Sequence, residues 1–353
     1  MRVQSPAATP EMRKFLLALL LMLGVYFFIS RFTEAQHILD TLRRGDWRWL
    51  AAAAGLQLMW SLNVGASFRA IYHAMGMEER TGHMVPLAAA AFFVNVIAPM
   101  AGVSGIAVFI ADARKRNRPV GRVSTAAALL VLFDYVAFLV VLALGMIVLI
   151  RRNQLEAGEI VATLVLVVIA LGMASLVFLG MRSKEQLGRA LASLGGLVNR
   201  VVRPFIHRDY LSLTRAHEFA HDASEGLQEA RQSPENLLLP AALALSSKAL
   251  LISVLFFVFM AFQQPFTVGT LIAGWSIAYL FLIVTPTPSG IGFVEGVLTL
   301  TLASMRVPLA AAALITLAYR GITLWFPLAY GAIAIRYVSR ATAPARGQPA
   351  AKA

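Results

Sequence analysis

A chain of 353 residues that is 59% hydrophobic and only 14% charged is too apolar for an ordinary soluble domain, in which about a quarter of residues carry charge. It has no cysteine, which excludes disulfides, thiolate nucleophiles and Cys-based metal sites. The net charge of +13 comes without a nucleic-acid-binding motif, so the basic residues are read as marking cytoplasmic loops and anionic headgroups. No P-loop, dinucleotide fingerprint or G-x-S-x-G element is present, and no cofactor and no nucleic-acid partner is expected.

Residues 1–14 form a basic tail with Arg2, Arg13 and Lys14, and 15–29 are apolar. Ser30-Arg31-Phe32 is a poor cleavage site, so a retained first span with its N-terminus inside is predicted. A second span covers about 49–70, interrupted by Asn63. Residues 85–111 are apolar around Asn95, Pro99, Gly102 and Gly105, and the basic cluster Arg114, Lys115, Arg116, Arg118, Arg122 follows at once. Keeping that cluster inside needs an even number of crossings, yet two full spans need about 40 residues. A re-entrant hairpin entering from the cytoplasm meets both demands.

A third span, 124–150, contains Asp134, and a fourth runs over 160–181. The polar stretch 182–236 is basic in its first part and acidic in its second. It reads as a cytoplasmic amphipathic loop on an anionic membrane surface, or else as a solvated loop. The fifth span, 237–262, carries Lys248. The next apolar stretch, 267–304, is interrupted by Pro286, Pro288, Gly290, Gly292 and Gly296, residues that cannot continue a helix. A break at membrane depth is tolerated only where the freed backbone is buried in protein or lines a wet cavity. A second hairpin, entering from outside, is therefore predicted. The sixth span, 309–335, contains Arg320, and the Ala/Pro/Gly-rich residues 339–353 read as a disordered tail.

The expected fold is all-α: a polytopic transmembrane helical bundle over 15–338, with about six full spans plus two re-entrant hairpins. Both termini are placed in the cytoplasm. The order span, span, hairpin, span occurs twice, from opposite sides, which is the pattern of an inverted repeat.

Four ionisable groups fall deep in apolar segments: Asp134, Lys248, Glu295 and Arg320. A charge at the bilayer centre costs at least about 2.5–3.5 kcal/mol, so such groups pair or face water. One reading makes them two buried salt bridges that orient the spans. The other makes them a polar cavity in which Arg320 and Lys248 hold an anionic headgroup, arginine by its planar fork. Ser289, Gly290 and Gly292 would then present backbone donors at the hairpin tip. Glu295, three residues after Gly292, also fits an N3 helix cap. Asn95 either bonds a neighbouring helix or contacts the substrate. The string His217-Glu218-Phe219-Ala220-His221 fits H-E-x-x-H, but its extended form fails at Ser224 and Leu227 and its flanks are polar. A surface helix is the better reading; a membrane zinc protease using His217, Glu218 and His221 is the lesser alternative, with His217 and His221 as secondary metal candidates.

The run Pro286-Thr-Pro-Ser-Gly-Ile-Gly-Phe-Val-Glu295, then Tyr319-Arg320, Trp325-Phe326-Pro327 and Gly331, resembles the transmembrane domain of lysylphosphatidylglycerol synthases and related stand-alone flippase-like membrane proteins. Ser289 stands where that family's late motif usually has Gly. Asn95-x-x-x-Pro99 is similar to an earlier family element, but Gly102-Val-Ser-Gly105 replaces the Gly-Glu and Arg that often follow. The resemblance implies a bacterial or archaeal cytoplasmic (inner) membrane and movement of a lipid between leaflets. No counterpart of the synthases' soluble aminoacyltransferase domain follows Ile335, so no enzyme activity of that kind is expected. The implied partners are membrane lipids with anionic headgroups. For a non-transporting scaffold they would include a lipid- or glycan-modifying enzyme.

Overall fold

The computed structural model describes residues 40–97, 103–193, 196, 213–285 and 288–341. The expected first span, the first break at Pro99 and the tail beyond 341 lie outside them. The helices are α1 (Trp47–Ala74), α2 (Thr81–Ile97), α3 (Val103–Lys115), α4 (Val120–Arg151), α5 (Ala157–Arg182), α6 (Leu213–Gln232), α7 (Leu238–Ala261), α8 (Val268–Val284), α9 (Phe293–Ser304), α10 (Leu309–Arg320) and α11 (Phe326–Ala341). Among the described residues there is no strand.

Local chemistry sets the helix starts. The Asp46 carboxylate accepts from the Arg48 amide at the head of α1, and the Thr267 hydroxyl accepts from the Thr270 amide at the head of α8. Glu156 and Glu159 form a capping box on α5. Each device satisfies amides that a helix start leaves without an internal partner.

Among the described residues four stretches are long and apolar enough to cross a membrane: α4, α5, α7 with its leading turn, and the continuous run from α10 through α11. Alpha-helical rise is 1.5 Å per residue. At 28 residues α1 has the length, but Gln57, Ser61, Asn63 and Ser67 dilute it. Those groups have work inside the bundle: the Asn63 amide donates to the Ser246 hydroxyl at 2.6 Å and the Trp60 indole to Ser247 at 2.8 Å, both on α7. Helix α5 exposes Ile160, Val161, Leu164, Val168, Leu171 and Phe178, a surface suited to lipid and not to water. The chain is a multi-pass membrane protein.

Helices α2 and α3 pack on each other, as do α8 and α9. The second arm of each pair has 13 or 12 residues, too few to cross about 30 Å of hydrocarbon. This is the geometry expected of hairpins. Their surroundings are reciprocal. The first arm of one hairpin, α2, packs along α11, while the first arm of the other, α8, packs along α4; α1 and α7 pack together between them. Two glycines permit these approaches. A Cβ on Gly331 would sit 2.7 Å from the Ala89 carbonyl oxygen, and one on Gly145 would sit 2.8 Å from the Ser276 hydroxyl.

Residues 213–232 form a helix, α6, that docks on the bundle and buries Ala220, Ala223, Leu227 and Ala230. The Ser224 hydroxyl donates to the Gly180 carbonyl at 2.6 Å, and Arg122 pairs with Glu225 at 2.8 Å. That hydrogen bond holds the Glu225 carboxyl below its ordinary range.

The feet of the first hairpin are tied by a charge cluster. Asp112 takes His83 at 3.0 Å and Arg116 at 3.4 Å, and Glu79 takes Arg118 at 2.7 Å and Arg116 at 3.3 Å. Arg116 also donates to His83 Nδ1, so the imidazole proton sits on Nε2 and points to Asp112. Burial pushes Asp112 up, but the hydrogen bonds from His83 and Arg116 and the Arg116 charge outweigh it and hold the carboxyl below its ordinary range.

Candidate functional site

The second break is a tight reversal after α8. Ser289, Gly290 and Gly292 have φ of 54°, 67° and 81°, the left-handed region where glycine carries no Cβ penalty. Ser289 thus occupies a conformation that favours glycine. Helix α9 starts after Gly292, which places Glu295 in its first turn. Its side chain makes no cap there; it turns to the neighbouring span. Arg320 Nε donates to Glu295 Oε1 at 2.5 Å, and another guanidinium nitrogen donates to the Ser289 carbonyl at 2.8 Å. One arginine therefore fixes both the carboxylate and the strained turn. The second Glu295 oxygen, Oε2, is buried with no hydrogen-bond partner.

Arg320 is placed by a helix irregularity. Residues Gly321–Trp325 form a π-turn in which the Phe326 amide reaches back to the Gly321 carbonyl. Pro327 has no amide hydrogen with which to continue the α ladder, so the wider turn absorbs the mismatch.

The other two charges also meet each other. Lys248 Nζ donates to Asp134 Oδ1 at 2.5 Å and to the Tyr279 hydroxyl at 3.0 Å, and that hydroxyl donates to Asp134 Oδ2 at 3.0 Å. Lys248 is fully buried, whereas the Asp134 side chain is 31% exposed. The two ion pairs are joined by aromatic rings. Tyr279 stacks on Trp275 at 4.9 Å, and the Trp275 indole donates to the hydroxyl of Tyr319, the residue before Arg320.

An open volume lies elsewhere. A partly open cavity of about 200 Å³ is lined by α1, α2, α3, α4 and α11. Its walls are mostly apolar, with Phe68, Phe92 and Phe109 set among alanines and branched aliphatic residues such as Ile106 and Val131. Polar groups are few. Ser61 and Tyr330 bond each other through their hydroxyls, and Asn95 accepts from Ser104 of the facing arm at 3.1 Å.

The expected site residues therefore separate into three groups. Glu295, Arg320 and Ser289 are in mutual contact, with Gly290 and Gly292 in the same turn. Asp134 and Lys248 form a second cluster. Of the expected set, Asn95 alone lines the cavity. It links the two hairpin arms. His221 faces Glu225 at 3.7 Å, and the His217 side chain lies outside the described residues. Among the described residues no group of three metal-ligating side chains gathers.

A family model for the lysylphosphatidylglycerol synthase transmembrane region matches residues 15–331. The chain belongs to that family. The match spans both hairpins and every cluster above except the end of α11. No curated protein and no solved structure matches the chain. Within this lysylphosphatidylglycerol synthase transmembrane-region member, Tyr279, Trp275, Gln57, Ser61 and Tyr330 are participants that sequence reasoning missed. The polar spacing of Gln57, Ser61 and Asn63 in an apolar span was the available signal. The aromatic residues carried none.

Proposed function

We propose that the chain is a flippase-like lipid translocase that moves a phospholipid, or another phosphate-bearing lipid, between the leaflets of the cytoplasmic membrane. The observation that carries this reading is the meeting of two broken hairpins inside the bundle. The turn Pro288–Gly290 of the second packs against α2 of the first, and interrupted helices at mid-membrane are a recurring way to build a transport site. Arg320 and Glu295 stand at that turn and take the headgroup role, with the turn's backbone beside them. Asp134 and Lys248 serve the same path one layer away. Both termini lie in the cytoplasm, with anionic headgroups drawn to the basic end.

A second reading has its own support. All four intramembrane charges are paired with one another, an arrangement that also suits a scaffold anchoring a lipid- or glycan-modifying enzyme. One experiment separates the two. Purified protein is placed in liposomes carrying fluorescent lipids of several headgroups, and leaflet exchange is followed by quenching from outside. Exchange above protein-free liposomes that is lost in Arg320→Ala supports the translocase. No exchange across the headgroup panel overturns it in favour of the scaffold.

A further inference from the structure

We propose that the cavity beside the first hairpin binds an uncharged segment of a bilayer lipid, the start of one acyl chain together with its ester. The inference deepens the lipid reading above and rests on it for the class of guest. The cavity's lining supplies the rest. Among the described residues no charged side chain lines it, so a phosphate entering there would be an uncompensated buried charge. The headgroup belongs elsewhere.

The walls suit hydrocarbon. Phe68, Phe92 and Phe109 face it with Ala88, Ile106 and Ala127. At about 200 Å³ it exceeds the roughly 150 Å³ apolar cavity that holds benzene. That is room for a short chain segment with one small polar function, and too little for a whole lipid.

A polar function is also demanded. Gln57 lies one helical turn before Ser61, is 0% exposed, and neither of its amide atoms makes a well-formed hydrogen bond. It abuts the Tyr330 hydroxyl, which lines the cavity with Ser61. Buried amides are nearly always partnered. A guest that is pure hydrocarbon leaves this one unmet. Gln57 is not itself part of the cavity wall and acts through the Tyr330 hydroxyl: an ester carbonyl in the cavity accepts from the hydroxyl of Ser61 or Tyr330, which frees the Tyr330 oxygen to take the Gln57 amide. Elsewhere on the wall the Trp60 indole donates to Ser247 and the Asn95 oxygen accepts from Ser104, which favours the Ser61–Tyr330 corner as the anchoring point.

The test uses the full chain in phosphatidylcholine vesicles doped with a phosphatidylglycerol bearing a diazirine next to the ester of one chain. After irradiation, crosslinked peptides are mapped by mass spectrometry. Crosslinks are expected on α1 around Gln57 to Phe68 and on α2 around Ala88 to Asn95. Their yield should fall about tenfold in Val131→Phe, which fills the cavity from α4. Gln57→Leu, which keeps the volume, should fold at least as stably and lower the same crosslinks. Leu164→Phe, on the outer face of α5, should leave them unchanged. Crosslinks confined to outward faces, or undiminished in both cavity variants, overturn the proposal and leave the space to water. Leaflet exchange measured in the same vesicles separates the two claims. Crosslinking without exchange keeps the chain site and removes the translocase; exchange without crosslinking does the reverse.

Discussion

Arg320 holds Glu295 through one guanidinium nitrogen and the carbonyl of Ser289 through another, so a single side chain clamps a carboxylate and a left-handed turn together. Removing one member of such a buried pair leaves the other uncompensated, at about 3–5 kcal/mol. Arg320→Ala should therefore lower the thermal midpoint sharply. Arg320→Lys should recover little of it, because an ammonium cannot reproduce the planar fork. The double variant Glu295→Gln/Arg320→Met should regain stability. Lipid exchange that remains absent in that stable double variant assigns the pair to transport, and exchange that returns assigns it to structure.

The second pair should respond unequally to its two single substitutions. Asp134→Asn strands a fully buried ammonium, whereas Lys248→Met leaves a carboxylate that is 31% exposed and still bonded to Tyr279. The first should cost about 3–5 kcal/mol and the second less. Chemical denaturation in detergent would rank them, and the opposite order would contradict the burial described above.

Gly331→Val and Gly145→Val should both disrupt the bundle, each in a different half. The Gly331 substitution drives a side chain into the backbone oxygen of Ala89, which cannot rotate away. At Gly145 the obstacles are the Ser276 hydroxyl, which can turn away, and the Ser276 Cβ at 2.9 Å, which moves only with its helix. Overpacking typically costs about 1–3 kcal/mol, and Gly331→Val should lie at or above the top of that range. Thermal unfolding monitored by intrinsic fluorescence would compare them.

Arg122→Ala should loosen α6 from the bundle, because it removes the cation that Glu225 and Glu229 share. The contact is exposed and salt-screened, while the buried Ala220, Ala223 and Leu227 remain. The expected result is faster amide exchange over 220–232 with little change in the global unfolding midpoint.

The charge cluster at the feet of the first hairpin should be stable at neutral pH and fail in acid. The Asp112 carboxyl is held below its ordinary range, so its contribution is complete above the unfolded value of about 4. It is lost as pH falls through the lower folded value. Thermal midpoints of the wild type should decline through that window. In Asp112→Asn they should be lower at neutral pH and lack that component of the slope.

The skeleton of this architecture was legible because membranes leave few choices. Pro286, Pro288 and the glycines after them announce a break, and four charges in apolar runs announce partners. Which charge meets which was not legible, since Arg320 and Glu295 belong to neighbouring spans while Lys248 and Asp134 are brought together from different halves. The docking of α6 was not legible because its buried stripe is mostly alanine, inconspicuous among charged neighbours. The cavity was invisible for a related reason. Alanines 88, 89 and 91 look like any apolar span until the phenylalanines that stand off from them are placed.

The exchange of hairpin arms between the halves has a consequence for how the protein is made. Helix α2 enters the membrane early in synthesis, yet its principal neighbour is α11, the last helix described. Until the ribosome has delivered that helix, the alanine-rich flank of the first hairpin has only lipid or a transient escort against it. Insertion and assembly are thereby separated in time, and truncated chains lacking α11 would present an unfinished surface to the cell's membrane quality control.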